Sequence, residues 1–185
     1  PNATLTLNNA YITGNQYNSS PNNVYAIHNE GTLKIGGSTK ITDNNRYISE
    51  YKNLGMNGGT LVITDPLSSD ARIGIRTNKT ITADAPLMIM NSVDRDSDME
   101  KLVSDDPKYA IGFDAYDHVI LGLKSTIRFY CSPGGASAGT MEDVSAVCSG
   151  VYTLPESGFS FGKDGFIGWK ASNETQQKQP CDKIS

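Results

Sequence analysis

The chain has 185 residues, 37% of them hydrophobic, which suits one ordinary domain or two small ones. Its 16 basic and 20 acidic residues give a net charge of −4, so it lacks the basic footprint of nucleic-acid-binding proteins. No apolar run is long enough to cross a bilayer. We therefore expect neither nucleic acid as a partner nor insertion into a membrane.

A four-residue phrase recurs at a fixed interval in the first third of the chain. It is TLTL from Thr4, TLKI from Thr32 and TLVI from Thr60, so that the starts are 28 residues apart. A regular period in this range is typical of repeat proteins, in which each unit buries its apolar side against the next unit. The sequence therefore predicts a rod-like repeat region.

Each unit carries two further strand-like patches between polar turns. They cover residues 11–13 and 24–27, then 40–42 and 53–55, then 72–75 and 79–82. Alternating apolar positions bounded by turn formers predict three short strands per unit. Stacked unit on unit, these strands describe a parallel β-helix with Leu5, Leu33 and Leu61 inside.

Two other features extend this prediction. Asparagine recurs at the predicted bends, where it would suit the left-handed backbone conformation of a sharp corner. These asparagines are Asn8, Asn15, Asn29, Asn44 and Asn45. A fourth, decayed coil is predicted from the apolar stretches at 87–90, 109–113 and 118–121.

Residues 1–123 resemble the parallel β-helix repeats of large bacterial surface proteins. The resemblance rests on NEGTLKIGGSTKITDN at 29–44 and NGGTLVITDPLSSDARIGIRT at 57–77. It implies a right-handed parallel β-helix of three to four coils in an extracellular stalk or adhesin, and it specifies no ligand.

Residues 124–185 differ in composition and resemble another family, the Listeria–Bacteroides repeat of the internalin B-repeat type. The matching phrases are GTM at 139–141, YTLP at 152–155 and the Gly-Trp pair ending at Trp169. The resemblance implies a small, β-grasp-like extracellular module that serves as a spacer or binds host surface ligands. We expect Trp169, with Phe159, Phe161 and Phe166, in the core of this module rather than on an exposed aromatic platform.

All three cysteines, Cys131, Cys148 and Cys181, lie in this module, where the family usually has Asn or Gly. New cysteines gathered in one extracellular module predict a disulfide. A hairpin of 127–131 with 144–148 would place residue 131 opposite about 145, which disfavours a direct Cys131–Cys148 bridge. Cys181 is then the better partner for one of them, and the pairing stays open.

The best candidate for a metal-binding cluster has a carboxylate at every second position and consists of Asp94, Asp96, Asp98 and Glu100. Such a cluster is either a calcium site or a solvated acidic loop. The EF-hand pattern does not fit it, because Met99 stands where that loop needs glycine. We expect no other cofactor.

The sequence offers no catalytic residue. Parallel β-helices also host polysaccharide lyases and hydrolases, which need several acidic groups on one face, about 5–9 Å apart for glycoside hydrolysis. The predicted strands instead carry basic side chains with few carboxylates between them, namely Lys34, Lys40, Arg72 and Lys79. His28 and His118 lack the neighbours of a catalytic histidine and are interpreted as structural.

Four Asn-X-Ser/Thr sequons stand at Asn2, Asn18, Asn78 and Asn173. They would mark glycosylation sites only in a eukaryotic protein.

We therefore expect a non-catalytic structural and adhesive segment of a microbial cell-surface protein, located outside the cell. Its partner would be a host surface or extracellular matrix ligand. The alternative is a filament of identical subunits, joined by strand addition or disulfides, and a carbohydrate-active enzyme comes third. Because the chain opens on a repeat unit without a signal segment, we expect it to be part of a longer protein.

Overall fold

A computed structural model describes residues 3–16, 24–46, 50–91, 96–130, 139–148, 150–160, 168–170 and 183–184. The chain is an all-β protein whose parallel sheets form a β-solenoid of about three turns, which confirms the predicted fold class. One short helix, α1 (Asp96–Met99), stands among the strands of the described ranges. No helix in these ranges is long and apolar enough to span a membrane.

Ten strands form the solenoid and its insertion. The first turn contains β1 (Thr4–Asn8), β2 (Tyr11–Thr13) and β3 (Ile27–Asn29). The second contains β4 (Thr32–Gly37), β5 (Lys40–Thr42), the inserted hairpin of β6 (Asn45–Arg46) with β7 (Glu50–Tyr51), and β8 (Leu54–Met56). The third contains β9 (Thr60–Leu67) and β10 (Arg72–Arg76).

Seven further strands follow in the chain. They are β11 (Leu87–Met90), β12 (Leu102–Ser104), β13 (Tyr109–Phe113), β14 (Val119–Ile127), β15 (Val144–Val147), β16 (Tyr152–Thr153) and β17 (Lys183–Ile184). The last two pair with each other in antiparallel fashion.

The 28-residue period is the register of the first parallel sheet, whose strand order is β1-β4-β9. Leu5 pairs with Leu33, and Leu33 pairs with Leu61, so that identical side chains stand in line across the turns. The second sheet, in the order β2-β5-β10-β8-β3, aligns Ile12 with Ile41 in the same way. Because side chains alternate across a strand, these rows point to one side and form the core.

Burial of the leucine row depends on the elements that cover each end of it. Leu33 and Leu61 are 1% and 0% exposed, whereas Leu5 is 47% exposed. Leu5 therefore departs from the expectation of a fully interior residue. It lies on the first turn, where only the strand of Leu33 pairs with its own strand. The strand of Leu61 also pairs with one strand of this sheet, but β11 and α1 contact it from the other side.

In the first and the third repeat unit, the last predicted strand differs from the structure. The strand expected at 24–27 begins at its last residue, as Ile27–Asn29. The strand expected at 79–82 is absent from these described residues, where Lys79 N donates to Thr77 Oγ1 in a turn. Strand β10 takes its place, since its first half pairs with β5 and its second half with β8.

The prediction of a fourth coil is wrong. Strand β12 pairs in parallel with β10 and continues one sheet by one strand. Strands β11 and β13, however, both pair with β14 in antiparallel fashion. The alternation of apolar residues was identified correctly, but it does not distinguish parallel stacking from antiparallel pairing.

Four of the five corner asparagines, Asn8, Asn15, Asn29 and Asn44, form hydrogen bonds through their side chains. Among the described non-glycine residues, positive φ angles occur at Asn9, Asp43 and Asp117, and at none of the five predicted asparagines. Asn29 instead accepts from Gly31 N and donates to Thr60 O, which ties two turns together. Its amide therefore replaces a backbone hydrogen bond at the bend.

The boundary predicted at residues 123 and 124 lies within one strand. Strand β14 pairs with β13 through Leu123 and with β15 from Lys124 onward. Residues 144–147 thus form an antiparallel hairpin strand as predicted, but they pair with residues 124–127 instead of 127–131. The division into two domains stays a prediction.

Truncation of a stacked leucine tests the solenoid core. We expect Leu33→Ala to lower the free energy of unfolding by about 2–5 kcal/mol, because it leaves a cavity between two turns. Leu5→Ala is the matched control and should cost at most about 1.5 kcal/mol, since that side chain is half exposed. Urea unfolding of both variants makes the comparison, and equal losses would contradict the stacked core.

Candidate functional site

The predicted calcium cluster is only partly described. Asp98 lies in α1, is 3% exposed and accepts a hydrogen bond from Leu67 N at 2.9 Å. Glu100 is exposed, and Asp94 and the side chain of Asp96 lie outside the described residues. Within the described ranges, no three acidic, His or Cys side chains gather at metal distance. The calcium site stays a prediction.

The cysteine prediction is also only partly described. Cys148 is exposed, and its backbone N–H donates to Leu123 O at the end of the β14–β15 pairing. Cys131 and Cys181 lie outside the described residues. Of the four sequon asparagines, Asn78 is described and exposed, and Asn2, Asn18 and Asn173 are outside these ranges.

Trp169 is 9% exposed in the C-terminal part of the chain. Its ring lies 5.0 Å from the ring of Phe129 and 6.3 Å from that of Phe159, measured between centroids. Its indole Nε1 donates to Pro155 O at 2.9 Å, which satisfies the polar end of a buried side chain. The burial agrees with a core position. Phe161 and Phe166 lie outside the described residues.

A chain of hydrogen-bonded side chains, with two buried amides at its centre, links three segments along one corner of the solenoid. Asn44 accepts from Asn15 Nδ2 at 2.7 Å and donates through Nδ2 to Asn53 Oδ1 at 2.9 Å. Asn53 then donates through Nδ2 to Asp105 Oδ1 at 2.8 Å. Asn53 and Asp105 both lie against Gly74, where a β-carbon would collide with them. We call this chain the amide ladder.

A cluster of charged side chains surrounds the end of the amide ladder. Lys52 Nζ and Arg76 Nη2 each lie 3.0 Å from Glu50 Oε1, and Arg76 Nη2 is 3.5 Å from Asp106 Oδ2. The side chain of Lys52 is only 5% exposed. We call Glu50, Lys52, Arg76, Asp105 and Asp106 the charge clasp, because it fastens the inserted hairpin to the loop after β12.

Burial is the main influence on Asp105 and raises the pKa of its carboxyl above the ordinary value of 3.8. Hydrogen bonds from Asn53 and the positive charges of Arg76 and Arg72 act in the opposite direction. The net result is a carboxyl group for which folding favours the protonated form.

The charge clasp is poorly arranged for glycoside hydrolysis. That reaction needs two carboxyl groups on either side of the bond to be cleaved. The carboxylates of Glu50 and Asp106 are brought together, but both contact Arg76 Nη2, which lies between them. A sugar linkage would have to displace a guanidinium that bonds both carboxylates. The clasp is therefore suited to holding two segments together.

The two histidines also make structural contacts. Asp114 Oδ2 lies 2.8 Å from His118 Nδ1, and its Oδ1 accepts from the backbone N–H groups of Tyr116 and His118. Desolvation raises the pKa of Asp114, but these hydrogen bonds outweigh it and lower the pKa overall. They close the turn between β13 and β14. His28 Nε2 lies 2.9 Å from Asn57 Nδ2 and 3.5 Å from Glu30 Oε1.

Sequence reasoning missed the charge clasp altogether. Its members come from the inserted hairpin, from β10 and from the loop after β12, and they share no motif. The one available signal was the charged segment between β5 and β8, which interrupts the repeat with Glu50 and Lys52.

Comparison of the chain with protein-family models, with curated proteins and with solved structures finds no match. The fold and the clasp are therefore interpreted from their own geometry.

The pKa of Asp105 predicts a specific pH dependence. Because the folded state favours its protonated form, the folded chain binds more protons than the unfolded chain, and stability falls as pH rises from 3.8 through the raised folded pKa. In Asp105→Asn this contribution is removed. We expect the stability of the wild type relative to this variant to decrease over that interval. Denaturant unfolding at several pH values measures the difference, and a relative stability that increases with pH would contradict the assignment.

Removal of one clasp carboxylate should be costly. Glu50→Gln leaves Lys52 and Arg76 without a shared anion in a largely buried place, and we expect a loss of roughly 1–3 kcal/mol in unfolding free energy. Asp143→Asn is the matched control, since it removes a carboxylate from the exposed pair with Arg128 and should cost much less. Thermal and urea unfolding compare the two variants. Similar losses would show that the charge clasp stabilises the fold no more than an exposed ion pair does.

Proposed function

We propose that the chain is a non-catalytic, extracellular structural and adhesive segment of a microbial cell-surface protein. One observation carries the proposal: the charged groups of the charge clasp bind one another and fasten segments of the fold. Paired charges of this kind are suited to rigidity rather than to turnover.

The solenoid supports the structural part of this proposal. Its turns are aligned by in-register pairing between successive strands, and the interior rows are buried from Leu33 onward. The turns repeat the same paired strands in the first sheet, so the fold forms a short, rigid spacer with a regular outer face there. Such a face can present a binding surface to a host ligand without any moving part.

A filament of identical subunits is the second candidate, and the end turn favours it. Leu5 is half exposed there and lines a cavity of about 250 Å³, together with Ile27, His28 and Leu33. An apolar side chain at the end of a stack can be covered by another turn of the same kind. A strand from a second copy would supply that cover.

The solution mass separates the first two candidates. We expect a monomer near 19.9 kDa by light scattering, with and without reductant, because the structural and adhesive role needs no self-association. Large assemblies that disappear in Leu5→Asp would favour the filament. Assemblies that dissociate only on reduction would show that a disulfide bond joins the subunits.

An activity assay separates the structural role from the third hypothesis, a carbohydrate-active enzyme. We expect no release of reducing ends from plant and host glycans, while the chain, immobilised on beads, is retained on surfaces coated with extracellular matrix. Leu33→Ala, unfolded by mild denaturant, serves as the control for non-specific retention. Glycan cleavage by the intact chain would overturn the proposal.

A further inference from the structure

The register of the second sheet brings four residues side by side in one row, three in strands and the fourth just before a strand. Tyr11 of β2 pairs with Lys40 of β5, and Lys40 pairs with Arg72 of β10. Lys101 comes next, because its carbonyl accepts from Ile73 N and the following residue pairs with Ile73. Successive strands lie about 4.7–4.9 Å apart, so the three cations follow one another across about 10 Å. We call these four residues the cationic row.

The row faces outward because its neighbours face inward. Ile41 and Ile73, which directly follow Lys40 and Arg72, are 0% exposed. Alternation along a strand places the preceding side chains on the opposite face. In agreement with this, Tyr11 is 60% exposed and Arg72 is exposed.

The aromatic end of the row lies beside its cationic neighbour. The hydroxyl of Tyr11 lies 3.5 Å from Ser38 Oγ, and Lys40 Nζ lies 5.6 Å from the centre of the tyrosine ring. An exposed ring beside a cation is a surface on which a sugar ring can stack while its acidic group meets the charge.

Two carboxylates oppose this row of positive charge. Asp70 Oδ2 lies 3.7 Å from Lys40 Nζ, with its side chain 58% exposed. Asp105, which Arg72 influences electrostatically, is half-buried and accepts hydrogen bonds from Asn53 in the amide ladder. Asp70 is therefore the one of these two that an approaching anion would meet directly.

We propose that the cationic row binds an anionic glycan, with Tyr11 stacked on one sugar ring and Lys40, Arg72 and Lys101 contacting carboxylate or sulfate groups on the following rings. The strand spacing is comparable with the length of one sugar residue in an extended chain, so one cation serves each ring. This inference deepens the adhesive part of the proposed function and rests on it.

A glycan fits this row better than a nucleic acid does. Single-stranded nucleic acids are bound by basic grooves with several aromatic side chains, on which successive bases stack. The cationic row offers a single ring at one end, on a chain whose net charge is −4. The positive charge is thus local, as suits a short anionic stretch of a glycan.

The experiment measures binding of oligosaccharides to the immobilised full chain by surface plasmon resonance. Polygalacturonate carries carboxylates alone and heparin carries sulfates as well, so the two probes distinguish the sources of negative charge. Neutral dextran and oligo-dT are the comparison ligands. We expect at least one acidic glycan to bind, more weakly at higher salt, and dextran not to bind.

Charge-matched variants locate the contact. Lys40→Gln with Arg72→Gln should weaken acidic-glycan binding roughly tenfold, since each exposed ion pair is worth up to about fivefold. Lys34→Gln with Lys124→Gln removes the same charge from other strands and should leave binding nearly unchanged. Asp70→Asn should strengthen binding, and Tyr11→Ser should weaken it.

Several results would overturn the inference. These are the absence of binding to both acidic glycans, an equal loss in the two double variants, or tighter binding of oligo-dT than of either glycan. Retention on matrix-coated surfaces that survives Lys40→Gln with Arg72→Gln would also overturn it, while the adhesive function itself would stand.

Discussion

In-register stacking of parallel strands is the constraint on which the rest of the structure depends. The side-chain period of a strand is two, so a slip of one residue would turn every interior leucine and isoleucine to the solvent. The 28-residue spacing of Leu5, Leu33 and Leu61 prevents this slip in the first sheet. The same register fixes the outer faces, since each side chain that points outward stands directly above its equivalent in the next turn. Regular outer rows are thus a by-product of a regular core.

The inserted hairpin shows how a repeat protein accommodates an irregular segment. An insertion between β5 and β8 brings charged and amide groups against a corner of the solenoid, and burial of such groups is costly unless they are paired. The amide ladder and the charge clasp supply that pairing. Lys52 is tolerated in a nearly buried place because Glu50 lies 3.0 Å from its amine. Specific polar contacts therefore fasten the insertion where the apolar core cannot reach.

The sequence was sufficient to predict what is periodic and insufficient for what is not. Leu33 and Leu61 could be placed because the same phrase surrounds each of them. Their burial depends on cover from both sides: Leu33 lies between two turns, and Leu61 lies between the second turn and the segment of β11 and α1 that contacts β9. Leu5, an identical residue in a similar phrase, is half exposed because only the strand of Leu33 pairs with its strand. Asn53 and Asp105 are 52 residues apart and share no motif, so their contact follows only from the three-dimensional path of the chain.

The sequence also could not predict whether neighbouring strands pair in parallel or in antiparallel fashion. The stretches at 109–113 and 119–121 have the alternating apolar pattern that either a parallel or an antiparallel sheet requires, and the antiparallel sheet formed. Its strand β14 runs without a break from the pairing with β13 into the pairing with β15. Because no loop separates the two pairings, bending the chain at this point would break the hydrogen bonds of a strand. The join at residues 123 and 124 is therefore stiff and resists hinge motion.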